Sequence, residues 1–276
     1  LQISIKDGTA SLRGEKKRAV GGTAEINCHC RNAEMKQNSF VPEAAIDKLK
    51  SERQRHRNIM KAVLILSGGV DSTTLLFKML ADGYRVLALT FDYGQRHRKE
   101  IDCARRVAKE CRIPHRTVDL ASIAGLLGDS ALLGSIEVPS CHYTEESARQ
   151  TIVPNRNMIM LSVAAGYAEA RGIPEVFYAA HRNDATIYPD CREEFVEALS
   201  RAILLATVWH PVCLRAPFVK MTKAEIVRLG LALKVPYELT WSCYRGEEVP
   251  CRRCPTCIER EEAFALNKAP DPLIEA

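Results

Sequence analysis

Long hydrophobic runs are missing from this chain. Nowhere in its 276 residues do about 18 apolar residues follow one another uninterrupted, which argues against a membrane-spanning helix and any membrane partner. The opening LQISIKDGTA lacks a basic start followed by an apolar block, so no secretory signal is expected. No internal repeat or low-complexity block stands out. Complete disulfide pairing within one chain is excluded, because the 11 cysteines are an odd number. Four of them crowd near the C-terminus at metal-ligand spacing and the rest scatter, which fits a reducing, cytoplasmic compartment. A basic bias is missing from most of the chain. Residues 1–59 hold 12 Lys/Arg against 7 Asp/Glu, whereas residues 60–276 hold 27 of each. The net charge of +5 therefore belongs to the first segment, and no nucleic-acid partner is expected for the body.

What is present is 46% apolar, enough for a real core in one large domain or two smaller ones. Residues 1–59 show weak periodicity and few large apolar groups, and read as a basic, poorly ordered extension. Cys28, His29 and Cys30 offer metal ligands there, but no second pair lies close by. From Met60 the punctuation is regular. KAVLILS suits a buried strand, and DSTTLLFKMLADG follows with helical spacing and a stop at Gly83. YRVLALTFDYG predicts a second strand, HRKEIDCARRVAKECRI an amphipathic helix, and HRTVDL a third strand. Residues 121–152 read as a loop or lid. Beyond them NRNMIMLSVAAGYAEARG, REEFVEALSRAILLATV and KAEIVRLGLAL predict helices, and EVFYAAH a fourth strand. The alternation predicts an α/β fold, a parallel sheet flanked by helices. The closing NKAPDPLIEA reads as a loose tail.

The stretch Ser67-Gly68-Gly69-Val70-Asp71-Ser72 leaves a buried strand and enters a helix. The first N–H groups of a helix have no internal partners, and glycines let a ligand approach them closely. With the hydroxyls of Ser67, Ser72 and Thr73 they form a nest for phosphate. The lysine of GxxxxGK[ST] is absent, as is GxGxxG. The pattern instead resembles the PP-loop of ATP pyrophosphatases, which cleave ATP between the α- and β-phosphates. Asp92, Tyr93 and Gln95 follow the second strand, where ligands of open parallel sheets sit. Thr222 with Glu225 forms a capping pattern, which puts Lys223 in a first helical turn. A cation is disfavoured there unless a polyphosphate compensates it.

Cys243, Cys251, Cys254 and Cys257 follow a C-x7-C-x2-C-x2-C spacing. Four thiolates fill the tetrahedral shell of zinc and leave no place for water, so the site reads as structural; an iron–sulfur cluster is the competing reading. Arg245, Arg252, Arg253 and Arg260 are candidates to offset its negative charge. His181, Asp184, Tyr188, Asp190 and Arg192 cluster after the fourth strand. There Asp190 with Glu193 also reads as a helix cap, and Cys191 is a candidate nucleophile.

Taken together, LSGGVDSTTLL, ALTFDYGQRH, VPNRN, YPDCREEF, KAEIVRLG and LTWSCYRG followed by C-x2-C-x2-C resemble the 7-cyano-7-deazaguanine synthase family of queuosine biosynthesis. The resemblance spans residues 60 to about 265. It implies an adenine nucleotide alpha hydrolase-like PP-loop fold, with an ATP-binding α/β domain over 60–230 and a zinc-binding region and tail over 231–276. It implies an ATP-dependent carbon–nitrogen ligase that turns 7-carboxy-7-deazaguanine and ammonia into the nitrile. ATP, with magnesium, would be held by Leu66, Ser67, Gly68, Gly69, Val70, Asp71, Ser72, Thr73, Thr74, Leu75 and Leu76, together with Asp92. Asp71 and Lys223 are the implied catalytic residues, and one structural zinc per chain falls to the four cysteines. Tyr188, Asp190 and Arg192 are the implied substrate contacts: an aspartate for the donor edge of a guanine-like base, an arginine for a carboxylate. A homodimer is the family-level expectation. The alternative is an RNA-thiolating PP-loop enzyme, which would want a basic surface and a reactive cysteine. The stretch RAILLATVWHPVCLRAPFVKMT departs from the family pattern.

Overall fold

The computed structural model describes residues 5–6, 9–10, 60–134 and 136–274. The chain divides into two units, Leu1–His56 and Arg57–Ala276. In the first, β1 (Ile5–Lys6) pairs antiparallel with β2 (Thr9–Ala10). The candidate ligands Cys28, His29 and Cys30, and the rest of the expected extension, lie outside the described residues.

The second unit is built on a parallel sheet of β3 (Lys61–Ile65), β4 (Arg85–Asp92), β5 (His115–Asp119), β6 (Glu175–Phe177) and β7 (Cys213–Arg215). Its spatial order is β5-β4-β3-β6-β7. The helices are α1 (Val70–Ala81), α2 (Lys99–Glu110), α3 (Ala121–Ala124), α4 (Glu145–Thr151), α5 (Arg156–Glu169), α6 (Arg182–Ala185), α7 (Glu193–Ala206), α8 (Lys223–Ala232) and α9 (Pro255–Leu266).

β3 shows why the sheet is covered on both faces. Its residues alternate between them, as the two-residue period of a strand demands. Ala62 and Leu64 pack with Leu75, Leu76 and Met79 of α1, Ala104 and Val107 of α2, and Ile226 of α8. Val63 packs on the opposite face with Leu161, Ala164 and Ala168 of α5 and Leu199 and Ile203 of α7. Each such side chain, taken fully out of water, contributes about 1.5–3 kcal/mol. β3 has β4 on one side and β6 on the other, so the chain order reverses at its carboxyl end. A crevice opens at such a point.

The structure corrects two expectations and adds two elements. The segment 121–152 holds two helices. Thr144 accepts from Ser147 N at 3.1 Å and donates its own N–H to Ser147 Oγ at 2.8 Å, capping α4. The buried residues of α4 are Ser147, Ala148 and Thr151, small or polar, so no apolar period betrays it. β7 has only three residues, too few to show alternation. α9 begins inside the cysteine motif, with Cys254 at its N-cap and Pro255 in its first turn. The tail is anchored: Asp271 is buried and accepts from Arg260 Nε at 2.6 Å and NH2 at 2.8 Å.

Candidate active site

The residues between β3 and α1 build the turn. Gly68 has φ +88, and a Cβ on it would lie 2.1 Å from the Glu100 carbonyl oxygen of α2, so only glycine fits. Gly69 is the N-cap of α1 and contributes no side-chain cap, which leaves the helix end bare for a ligand. Ser67 Oγ and Ser72 Oγ bond each other at 2.9 Å across the turn, and Gly69 N donates to Ser67 Oγ at 3.3 Å.

A cavity of about 230 Å³ opens above the turn. Leu66, Ser67, Gly69, Val70, Asp71 and Ser72 form part of its wall. The other candidate nucleotide residues lie elsewhere. Thr74, Leu75 and Leu76 are buried core residues, with Thr74 Oγ1 bonded to Val70 O and to Tyr237 OH, each at 2.8 Å. Thr73 is buried and its hydroxyl has no hydrogen-bond partner among the described residues. Asp92 sits at the end of β4, bound by Arg98 NH2 at 2.5 Å and Gly94 N at 3.2 Å. It braces the loop in which Tyr93 reaches the cavity. Gln95 is also a brace, accepting from Tyr93 N at 2.9 Å and donating to Glu100 at 3.1 Å.

Lys223, which is 152 positions from Asp71 in the chain, meets it here: Lys223 Nζ donates to Asp71 Oδ2 at 2.5 Å. The sequence-predicted cap delivers it. Thr222 Oγ1 accepts from Glu225 N at 3.3 Å, and Glu225 Oε2 accepts from Thr222 N at 2.8 Å. His181 stands behind the pair. Its Nδ1 accepts from Asp184 N at 3.4 Å, so Nε2 carries the proton, 3.7 Å from Asp71 Oδ2 and 3.2 Å from Asp184 Oδ2. Burial alone would raise the Asp71 pKa, but Lys223 and His181 outweigh it and hold the carboxyl below its ordinary value. Burial likewise works against the Lys223 ammonium, and the charge of Asp71 overrides it and keeps the group protonated. Asp71 Oδ1 is sealed and unpartnered among the described residues.

The far wall is aromatic. Tyr93, Tyr178, Tyr188 and Tyr244 line it, with Arg156, Asn157 and Met160 from the start of α5. Tyr188 OH bonds Thr151 Oγ1 at 2.9 Å. Burial pushes the Tyr93 hydroxyl up to about 12. Asp190 stands beside this wall and accepts from Asn157 N at 3.3 Å. Arg192 is exposed, with its Nε donating to Ala185 O at 3.0 Å, and it takes no part in the cavity wall. Cys191 is buried, and desolvation raises its thiol pKa far above the ordinary value, the reverse of what a nucleophile needs.

Sequence reasoning missed Arg156, Tyr178, Tyr244, Trp241 and Glu259 as cavity residues. Arg156 lies within VPNRN; a cation opening an apolar helix was the available signal. Glu259 gave none, because it is one of three acidic residues that follow the cysteine motif.

The four sulfur atoms of Cys243, Cys251, Cys254 and Cys257 lie within 4.8 Å of one another, a cluster that fits a single metal ion. Cys251 N donates to Cys243 Sγ and Cys254 N to Cys251 Sγ, both at 3.4 Å. Three of the expected compensating arginines are engaged with carboxylates: Arg260 with Asp271, Arg252 with Glu261 and Arg245 with Glu137. Among the described residues no helix is long and apolar enough to cross a membrane.

A bare helix end after the central strand of a parallel sheet, with a four-cysteine knot beside it, defines an α/β protein of the PP-loop type. The model of the queuosine biosynthesis protein QueC family matches residues 61–268, and the chain belongs to that family. Its relatives include three proteins named 7-cyano-7-deazaguanine synthase. That of Archaeoglobus fulgidus is 60% identical over 78% of this chain and 90% of its own length. That of Hahella chejuensis is 51% identical over 77% and 92%, and that of Methanoregula boonei 50% over 78% and 98%.

Proposed function

We propose that this chain is an ATP-dependent carbon–nitrogen ligase that converts 7-carboxy-7-deazaguanine and ammonia into 7-cyano-7-deazaguanine, as the names of its relatives suggest. The observation that carries this reading is the cavity itself. One wall is a bare helix end with hydroxyls and a buried lysine, suited to polyphosphate. The other is aromatic and polar, suited to a flat heterocycle.

A carboxylate is a poor electrophile, and ammonia does not displace its oxygen. Attack of the substrate carboxylate on the α-phosphorus of ATP releases pyrophosphate and gives an acyl-adenylate. Ammonia then displaces AMP to give the amide. A second activation, now of the amide oxygen, allows AMP to leave with loss of protons and gives the nitrile. In this scheme the N–H groups at the head of α1, with Ser67 and Ser72, hold the departing pyrophosphate, and Lys223 offsets its charge. Asp71 holds Lys223 in place. Its sealed Oδ1 is a ligand of the kind magnesium takes, and that ion when bound neutralises the polyphosphate. Tyr188 forms part of the base pocket, and Asp190 fixes the start of α5 through Asn157 N. Catalysis is positioning and charge stabilisation, and needs no thiolate. The high thiol pKa of Cys191 removes one support from the RNA-thiolating alternative.

The four cysteines suit zinc, one per chain, which supplies a cross-link and no chemistry when bound. A homodimer in the cytoplasm completes the reading. The test is incubation of the protein with ATP, magnesium, ammonium and 7-carboxy-7-deazaguanine, followed by mass spectrometry. The expected products are the amide, the nitrile, AMP and pyrophosphate. Unchanged substrate from folded, zinc-loaded protein would overturn the assignment.

A further inference from the structure

Among the described residues, Arg156 is a cation with no anion bonded to it. Its Nε is sealed and has no hydrogen-bond partner among the described residues. Among the described residues NH1 donates only to a phenol, Tyr93 OH at 3.1 Å, and the guanidinium lies 5.3 Å from the Tyr93 ring centre. No carboxylate among the described residues forms an ion pair with it. Asp190 attracts it from a distance but is itself bonded to Asn157 N at 3.3 Å and to the Cys191 thiol at 3.9 Å.

Its place in the fold makes the imbalance larger. Arg156 is the first residue of α5, where the helix dipole is positive and a cation is disfavoured. The first turn of α5 contains no acid, and the N-cap Asn155, at φ 58 and ψ 14, gives no side-chain cap. A desolvated charge beside a bare helix end is costly unless something negative joins it. Both features face the cavity, since Arg156 and Asn157 line it.

The phosphates already have a seat. α1, which carries the phosphate turn, packs on one face of the sheet with Leu75 and Leu76, whereas α5 packs on the other with Leu161 and Ala164. Arg156 therefore stands across the carboxyl edge of β3 from that turn, beside the aromatic wall. We propose that Arg156 and the N-terminus of α5 form an anion subsite that holds the carboxylate of the heterocyclic substrate. Arg156 is thereby the residue that makes the cavity prefer the acid over the nitrile. The inference rests on the function proposed above and assigns its carboxylate contact. It takes the place proposed for Arg192, which is exposed and does not line the cavity.

The experiment is calorimetric titration of 7-carboxy-7-deazaguanine and of 7-cyano-7-deazaguanine into the protein, with α,β-methylene ATP and magnesium present. The affinity of the nucleotide analogue is measured separately. The wild type is expected to bind the acid about ten- to a hundredfold more tightly than the nitrile, the worth of one charge-assisted contact. In Arg156→Gln that ratio falls to near one while nucleotide affinity is unchanged; Arg156→Lys keeps part of it. Should Arg156→Gln fail to fold, as judged by circular dichroism, the reduced ratio in Arg156→Lys carries the test. A ratio unchanged in the variants overturns the assignment of Arg156, as does an equal loss of nucleotide affinity, which would make it a phosphate contact. A wild type that binds nucleotide but neither heterocycle overturns the proposed function as well.

Discussion

The pairing of Asp71 with Lys223 is the most informative contact at the residue scale. Both side chains are largely buried, so removing one leaves the other charge stranded. Lys223→Gln is expected to cost about 3–5 kcal/mol in urea unfolding and to abolish turnover. The pair also fixes a pH window. Asp71 titrates below its ordinary 3.8 in the folded state, so its contribution is present above that value and is lost as pH falls through the lowered one. Lys223 titrates above its ordinary 10.5, so its contribution is present below that value and is lost as pH rises through the raised one. The stability difference between wild type and Asp71→Asn should therefore be flat between those limits and shrink on the acid side. A constant difference down to strongly acidic pH would contradict the pairing. Cys191 gives the complementary prediction. Cys191→Ala should keep turnover within an order of magnitude, whereas loss of a true nucleophile costs about a millionfold. Lys223 was legible as an oddity because a cation in a capped first turn needs an explanation. Its partner was not legible, because nothing local links positions 71 and 223.

The element that matters most is the strand–turn–helix from β3 into α1. Its type was readable because every cue is local: an apolar run, two glycines, then helical spacing. Which glycine is indispensable was not. Gly68 closes against the backbone of α2, so Gly68→Ala meets both a positive φ and a wall of backbone. The strained backbone alone costs about 1–3 kcal/mol, and the displaced turn should lose nucleotide binding. Gly83 has φ +87, but a methyl group there would meet nothing within 4 Å, so Gly83→Ala should lose some stability yet keep nucleotide affinity. Equal affinities for the two variants in a fluorescent-nucleotide titration would show that the turn does not hold phosphate. The elements that escaped reading, α4, β7 and α9, share a cause. Their buried positions are few, small or overlaid by another pattern, so periodicity had nothing to register.

For the whole second unit, the C-terminal region ties metal knot and cavity together. α9 carries Cys254 and Cys257, then Glu259, which stands 3.8 Å from Lys223, and then Arg260, which holds Asp271. Thr256 Oγ1 donates to Ser242 O at 2.8 Å, and both residues line the cavity. Chelation should therefore act at a distance. A loss of about 2.5 kcal/mol corresponds to a fall in Tm of roughly 5–10 °C for a unit of this size. One zinc per chain is expected by elemental analysis, and nucleotide affinity should fall together with zinc content. A chelated protein with unchanged Tm and unchanged affinity would separate the knot from the site.

The sequence alone determined the pieces whose cause lies within a few residues: the glycine turn before α1, the Thr222 cap, the four-cysteine spacing and the alternation of strands with helices. Backbone conformation, capping and ligand spacing are short-range effects, so neighbouring residues suffice to specify them. Only the tertiary structure decided what faces what. The strand order β5-β4-β3-β6-β7 brings the ends of α1, α5, α8 and α9 to one crevice. That order seats Lys223 on Asp71, turns Arg192 outward and leaves Arg156 facing the cavity. These outcomes depend on which sheet face each helix covers, a choice made by the packing of the whole core.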